Sequence, residues 1–102
     1  MAYAIWLRPA VHTARSRLPG NVRHRIARLI DGLADEPRPP RSRVLTYPEQ
    51  LPVHGWELRR ARMDDWRVIY AVNDAMSQVA VLDVRRRPPY DYDDLDALMA
   101  DL

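Results

Sequence analysis

Seven arginines stand between residues 59 and 87 of this 102-residue chain: Arg59, Arg60, Arg62, Arg67, Arg85, Arg86 and Arg87. They lie in or beside runs of alternating apolar residues, which puts them on strands. Seven guanidinium groups on one small sheet repel each other unless water or a polyanion separates them. Arginine forks two donors onto a phosphate, stacks on bases and stays charged. It therefore suits phosphate binding and the stabilisation of charge that builds on a phosphate during reaction. It is a poor general base. Nearby groups that can move a proton are Glu57, His54 and Tyr90, whose phenol has an ordinary pKa of about 10. A structural reading stands beside the functional one. Asp64, Asp65 and Asp83 are available to pair with the arginines and make a solvated, salt-bridged face.

Other chemistries find little support. His12, His24 and His54 are scattered, with no ligand spacing of the zinc-helix kind. Gly20, Gly32 and Gly55 are isolated and form no phosphate loop. No serine sits in a nucleophile elbow. The chain has no cysteine, which excludes a disulfide framework and a thiolate metal site and fits a reducing compartment. No metal and no cofactor are expected.

All 16 basic residues are Arg. Codon bias in a GC-rich genome is the plain explanation, and the chemical consequence is the same either way. The net charge of +2 hides an asymmetry. Residues 1–90 hold every arginine against nine acids, a balance of +7, whereas residues 91–102 hold five acids and no base. A basic body suggests a polyanion partner. No apolar run approaches the roughly 18 residues of a membrane span. The first ten residues lack the basic and apolar regions of a signal peptide. The expectation is a single domain spanning residues 1–102, in the cytoplasm.

The elements that must position the arginines follow from periodicity. Residues 2–7 are short and apolar and read as a buried strand. Pro9 suits the first turn of a helix over residues 9–17. Asn21 is a candidate N-cap. Val22, Ile26, Leu29, Ile30 and Leu33 then make one helical stripe that closes near Pro37. Residues 37–52 hold five of the nine prolines and read as a connector, with a short extended piece at residues 44–46. It is either a pinned surface crossing or the rim of a groove.

Three strands follow, at residues 56–62, 66–72 and 79–84, joined by turn chemistry at residues 63–65 and 73–77. An acidic start at Asp93 or Asp94 leads into a last helix with Leu95, Leu98, Met99 and Leu102 on one stripe. The fold class is α+β in the order β-α-α-β-β-β-α, an antiparallel-rich small sheet with helices packed on one face. Alternation puts Trp66, Val68, Tyr70 and Val72 on one side of their strand and Arg67, Ile69 and Ala71 on the other. Helices are expected over the Trp66 side. The remaining surface is then expected to carry Glu57, Arg59 and Arg67 together with arginines of the last strand.

The run Glu57-Leu58-Arg59, then Trp66-Arg67-Val68-Ile69-Tyr70, then Val84-Arg85-Arg86-Arg87 and Tyr90 resembles the RelE/ParE superfamily of bacterial type II toxins. That family shows a strand of Arg, two apolar residues and Tyr, then an apolar strand ending in basic residues, then a late Tyr. The order of elements matches as well. The resemblance implies a toxin neutralised by a cognate antitoxin in a hetero-oligomer. For RelE-like members it implies an endoribonuclease that cuts mRNA in the A site of the 70S ribosome. It implies that Arg67 contacts the scissile phosphate and that Tyr90 stacks on a base.

On the same resemblance Arg59 takes a basic position on the preceding strand. That strand is one residue longer here, so Glu57 or Arg60 can take neighbouring places. The late arginine is Arg87 counted from Val84, or Arg86 counted back from Tyr90. The expected catalytic set is Arg59, Arg67, Arg87, Tyr90 and Glu57, with Glu57 preferred as base. Arg60, Arg62, Arg85 and Arg86 are expected to hold RNA. Two other readings compete. One is a ParE-like toxin that binds DNA gyrase, against which the arginine density argues. The other is a basic RNA-binding module without catalysis.

Overall fold

The computed structural model describes residues 2–45, 55–86, 95–100 and 102. The elements are β1 (Ala4–Leu7), α1 (Pro9–Ser16), α2 (Gly20–Gly32), β2 (Ser42–Val44), β3 (Glu57–Met63), β4 (Trp66–Asn73), β5 (Gln78–Arg86) and α3 (Leu95–Met99). The expected α+β order is present, with one short strand added inside the connector. The five strands make one sheet in the order β1-β5-β4-β3-β2. β1 runs parallel to β5, and the other neighbours are antiparallel. A parallel neighbour needs a crossover, and α1 with α2 begins that return path. No helix among the described residues is long and apolar enough to cross a membrane.

Each boundary has a local cause. Pro9 opens α1, where its missing N–H costs nothing. α2 begins at Gly20 behind Pro19 and has no side-chain cap, so Asn21 lies inside the helix instead of capping it. The two-residue turn between Met63 and Trp66 holds Asp64 at φ 53°, a left-handed conformation that Asp tolerates better than most residues. The β4–β5 turn is fixed by Asn73, whose Oδ1 accepts the Met76 N–H at 3.0 Å.

The sheet buries both faces. On the first, Val11, Ile26, Ile30 and Leu33 of the helices pack on Ala61, Met63, Val68, Tyr70, Val72, Val79, Val81 and Val84. Trp66 joins this core from its edge, and Tyr70 is wholly buried in it. On the second, Leu98 and Met99 of α3 pack on Leu58, Ile69, Ala71, Ala80 and Leu82, with Trp56 and Leu102 at the margin. The acidic C-terminal helix therefore lies across the second face, against β5. Its expected start at Asp93 or Asp94 falls outside the described residues.

Candidate nucleic-acid interface

Register decides which arginines share a surface. β3 and β4 pair Leu58 with Ala71, Arg60 with Ile69 and Arg62 with Arg67. β4 and β5 pair Arg67 with Arg85 and Ile69 with Asp83. β2 and β3 pair Arg43 with Arg60. Residues directly opposite each other project from the same face of a sheet. Arg62, Arg67 and Arg85 thus form one cross-strand row on the second face. Arg43, Arg60, Ile69 and Asp83 form the next row, and Leu58, Ala71 and Ala80 begin the apolar part beneath α3.

A β-bulge makes this possible. The β4–β5 register slips between Ile69 and Tyr70: Ile69 faces Asp83, but Tyr70 faces Val81. Leu82 is the extra residue. Strict alternation from the buried Val79 and Val81 would send Asp83 and Arg85 into the helix-side core. The bulge returns both to the Arg67 face and lets Val84 take the core position. Re-aiming a side chain is a common use of a bulge.

The row is electrostatically unusual, because like charges directly opposite each other destabilise a sheet. Arg85 is buried and bonded to Asp83 at 2.6 Å, and Asp83 Oδ1 also accepts the Val84 N–H. Arg67 is half-buried and folds back on the turn, where its Nη1 donates to the carbonyls of Asp64 at 2.8 Å and Trp66 at 2.9 Å. Among the described residues the buried Arg67 Nε has no hydrogen-bond partner. A buried, unmade bond on a charged donor costs about 1–3 kcal/mol. Arg43 and Arg62 are exposed.

Glu57 and Arg59 do not share this surface. They are paired with Val72 and Tyr70, so they project to the helix side, opposite to the placement expected from sequence. The register, which the alternation of a single strand does not supply, is the reason. Arg59 is 9% exposed. Its Nη2 donates to Ser42 Oγ at 2.8 Å and its Nη1 to Glu57 Oε1 at 2.9 Å. Arg38 Nε donates to the same Glu57 oxygen at 3.0 Å.

Arg38 also grips Asp74 with both terminal nitrogens, at 3.2 and 3.0 Å, and the Tyr3 hydroxyl donates to Asp74 at 2.7 Å. The Arg38 bond, followed by the Tyr3 bond, holds the Asp74 carboxyl below the usual range. Ser42 and Tyr70 complete the network by donating to the carbonyls of Pro39 and Pro37. Burial, above all, raises the Tyr70 phenol.

Arg86 faces Trp66 on the helix side and is exposed, away from Arg67 and Arg85. Arg87, Tyr90 and His54 lie outside the described residues. Two participants were missed in the sequence. Arg43 looked like part of a connector, although Ser42-Arg43-Val44 pairs as a strand. Arg38 sits among prolines, where no period marks a side chain as structural. Among the described residues no group of three His, Cys, Asp or Glu is placed to hold a metal ion.

No family model and no curated protein matches the chain. Solved structures do. The chain is similar to a chain of the archaeal RelE–RelB complex from Pyrococcus horikoshii, with a TM-score of 0.74 and 28% identity over 88% of this chain and 100% of that one. It is similar to a chain of the toxin–antitoxin complex RelBE2 from Mycobacterium tuberculosis, with a TM-score of 0.68 and 19% identity over 85% of this chain and all of that one. The isolated RelE toxin of E. coli superimposes with a TM-score of 0.63 and 18% identity over 99% of this chain and 100% of that one. The two more distant matches carry the fold alone. With the archaeal chain they agree with the fold described above. The chain has the fold of the RelE toxin structures, and at 28% identity it is similar to the archaeal RelE chain over its full length.

Proposed function

We propose that this chain is the toxin of a type II toxin–antitoxin pair, and that it is an endoribonuclease cutting mRNA in the ribosomal A site. The observation that carries the reading is the cross-strand row Arg62, Arg67 and Arg85, flanked by Arg43 and Arg60. Such a row suits a polyanion better than solvent. Two of the structural relatives are toxin–antitoxin complexes, which supports a cognate antitoxin as partner.

The reaction is attack of a 2′-OH on the adjacent phosphorus. The O2′–P bond forms and the P–O5′ bond breaks. The 2′-OH proton leaves and the departing 5′ oxygen gains one. Arg67 and Arg60 neutralise the charge that develops on the phosphorane, and Arg85, held in place by Asp83, adds to that field. Arg43 and Arg62 follow the RNA backbone, and Arg87 lies one residue beyond β5. Tyr90 is the member of the expected set that remains for base stacking and proton transfer. Glu57 and Arg59 are assigned to holding the sheet edge, because their bonds are already made on the opposite face. A set without a strong acid–base pair leaves much of the rate to the ribosome, which would hold the 2′-OH in line.

The test is induced expression of the chain alone, with primer extension on an abundant message. Codon-phased cleavage is expected, and Arg67→Ala is expected to lower it by about 10²–10³-fold. Growth arrest with intact message and a damaged chromosome would point to gyrase and remove the nuclease reading. An Arg67→Ala chain as active as the parent would do the same.

A further inference from the structure

The two edges of the sheet differ. β2 carries Arg43 and follows Arg41, so charge guards it against pairing with another strand. β1, Ala4-Ile5-Trp6-Leu7, has no charge, no proline and no bulge. Its bonds to the β5 side alternate: the Ala4 N–H donates to the Ser77 carbonyl and the Arg8 N–H to the Val81 carbonyl, both at 2.9 Å. Ile5 and Leu7 therefore turn their N–H and C=O groups to the outer edge. Among the described residues no backbone group bonds to them there. The flanking positions add nothing: the Tyr3 N–H is taken by the Ala34 carbonyl, and Pro9 has no N–H. On the second face Trp6 is 36% exposed, and with Trp56, Gln78, Ala80 and Leu102 it lines a largely apolar pocket of about 220 Å³.

We infer that β1 pairs antiparallel with β1 of a second copy of this chain, about a two-fold axis at Trp6. The residues that offer outward backbone groups, Ile5 and Leu7, have a spacing that matches itself. Ile5 pairs with Leu7 of the second copy, and Leu7 with its Ile5, and each of these pairs exchanges both N–H···O bonds. Trp6 then stands opposite Trp6 of the second copy, in the non-hydrogen-bonded position where Cα atoms approach to about 4.5 Å. Aromatic pairs are favourable there. On the helix side Ile5 and Leu7 already pack on the core, and the pairing extends that core across the axis. The edge is used up in both chains, so assembly closes at a dimer. A chain of 16 arginines repels its own copies over much of its surface, whereas this edge is a stretch without charge. The arginine row lies on β3, β4 and β5 and stays clear of the axis. The inference does not depend on the toxin reading.

The contact is short, which places it among weak interfaces, with a dissociation constant on the order of tens of micromolar. The test is sedimentation equilibrium of the purified full chain from about 1 µM to about 1 mM. The mass is expected to rise from that of one chain toward that of two. Exciton coupling between the facing indoles, read by circular dichroism, is expected to grow in step with the mass. Trp6→Lys and Trp6→Glu each set like charges opposite one another, and each is expected to weaken association by about tenfold or more. Both change an exposed side chain, and thermal unfolding checks that the variants fold. An equimolar mixture of the two is expected to associate more tightly than either alone, because it sets opposite charges across the axis. Arg67→Ala is expected to dimerise like the parent.

A parent chain that stays monomeric to about 1 mM would overturn the inference and leave the edge to a strand of another protein. A dimer that persists unchanged in Trp6→Lys would overturn it too, since that dimer forms through another surface. So would a mixture of the two variants that associates no better than each alone. These outcomes are independent of the cleavage assay. The dimer can fail while the toxin reading stands, and the reverse.

Discussion

Arg59 and Arg60 leave β3 in opposite directions, and substitution separates what each contributes. Arg59 is enclosed and bonded to Ser42 and to Glu57. Truncating it removes charge-assisted bonds worth about 1.5–3 kcal/mol. Arg59→Ala is therefore expected to lower stability by about 2 kcal/mol, read as a shift in the urea midpoint. Arg60 is partly exposed and lies beside Arg43 on the face of the arginine row. Arg60→Ala is expected to cost about 1 kcal/mol at most and to abolish toxicity. A stable Arg59→Ala chain that has lost cleavage would reverse the two assignments. The sequence supplied the residue types, since arginine on strands is visible in a single pass. It could not say which of two adjacent arginines joins the arginine row, because that depends on the partner strand.

Periods of 2 and 3.6 residues gave the elements because each buries a distinct apolar stripe. α2 shows this in Ile26, Ile30 and Leu33, and β4 in Val68, Tyr70 and Val72. What escaped was anything set by pairing. β2 has only three residues, too few for a period, and was hidden among prolines. The Leu82 bulge breaks the alternation of β5, and no residue type announces it. Both features act on the arginine row, one by adding Arg43 and the other by placing Arg85 on the Arg67 face.

The entry to β3 is legible in part, because Gly55 holds φ at +84°, a conformation that L side chains rarely adopt. An added Cβ there would also lie 3.1 Å from Asn73 Nδ2. Asn73 is buried and its Oδ1 closes the β4–β5 turn, so it has little room to give. Gly55→Ala is expected to cost about 1–3 kcal/mol, measured by thermal unfolding. An unchanged melting temperature would show that the turn relaxes freely.

At the scale of the molecule, one cation joins parts that are far apart in sequence. Arg38 binds Glu57 at the start of β3 and Asp74 in the β4–β5 turn, while Tyr3 reaches Asp74 from the chain's beginning. The Tyr3 N–H also donates to the Ala34 carbonyl at 2.7 Å, which ties the region after α2 to β1. The clasp ties the helix side of the sheet together, on the face opposite the arginine row. It also gives the fold an acid-sensitive contribution. The Asp74 carboxyl is lowered by Arg38 first and Tyr3 second, so the folded chain binds its proton less readily than the unfolded chain. The stabilisation is fully present above the ordinary carboxylate value of about 4 and is lost as pH falls through the lowered one. Asp74→Asn is expected to be less stable than the parent at neutral pH. The difference should shrink below about pH 4, where the parent loses its advantage. Because the pair is exposed, added salt should narrow the gap at neutral pH as well. Denaturant midpoints across a pH series check this. Parallel curves for the two chains would mean that the clasp is held by geometry, with no share from the ionised carboxylate.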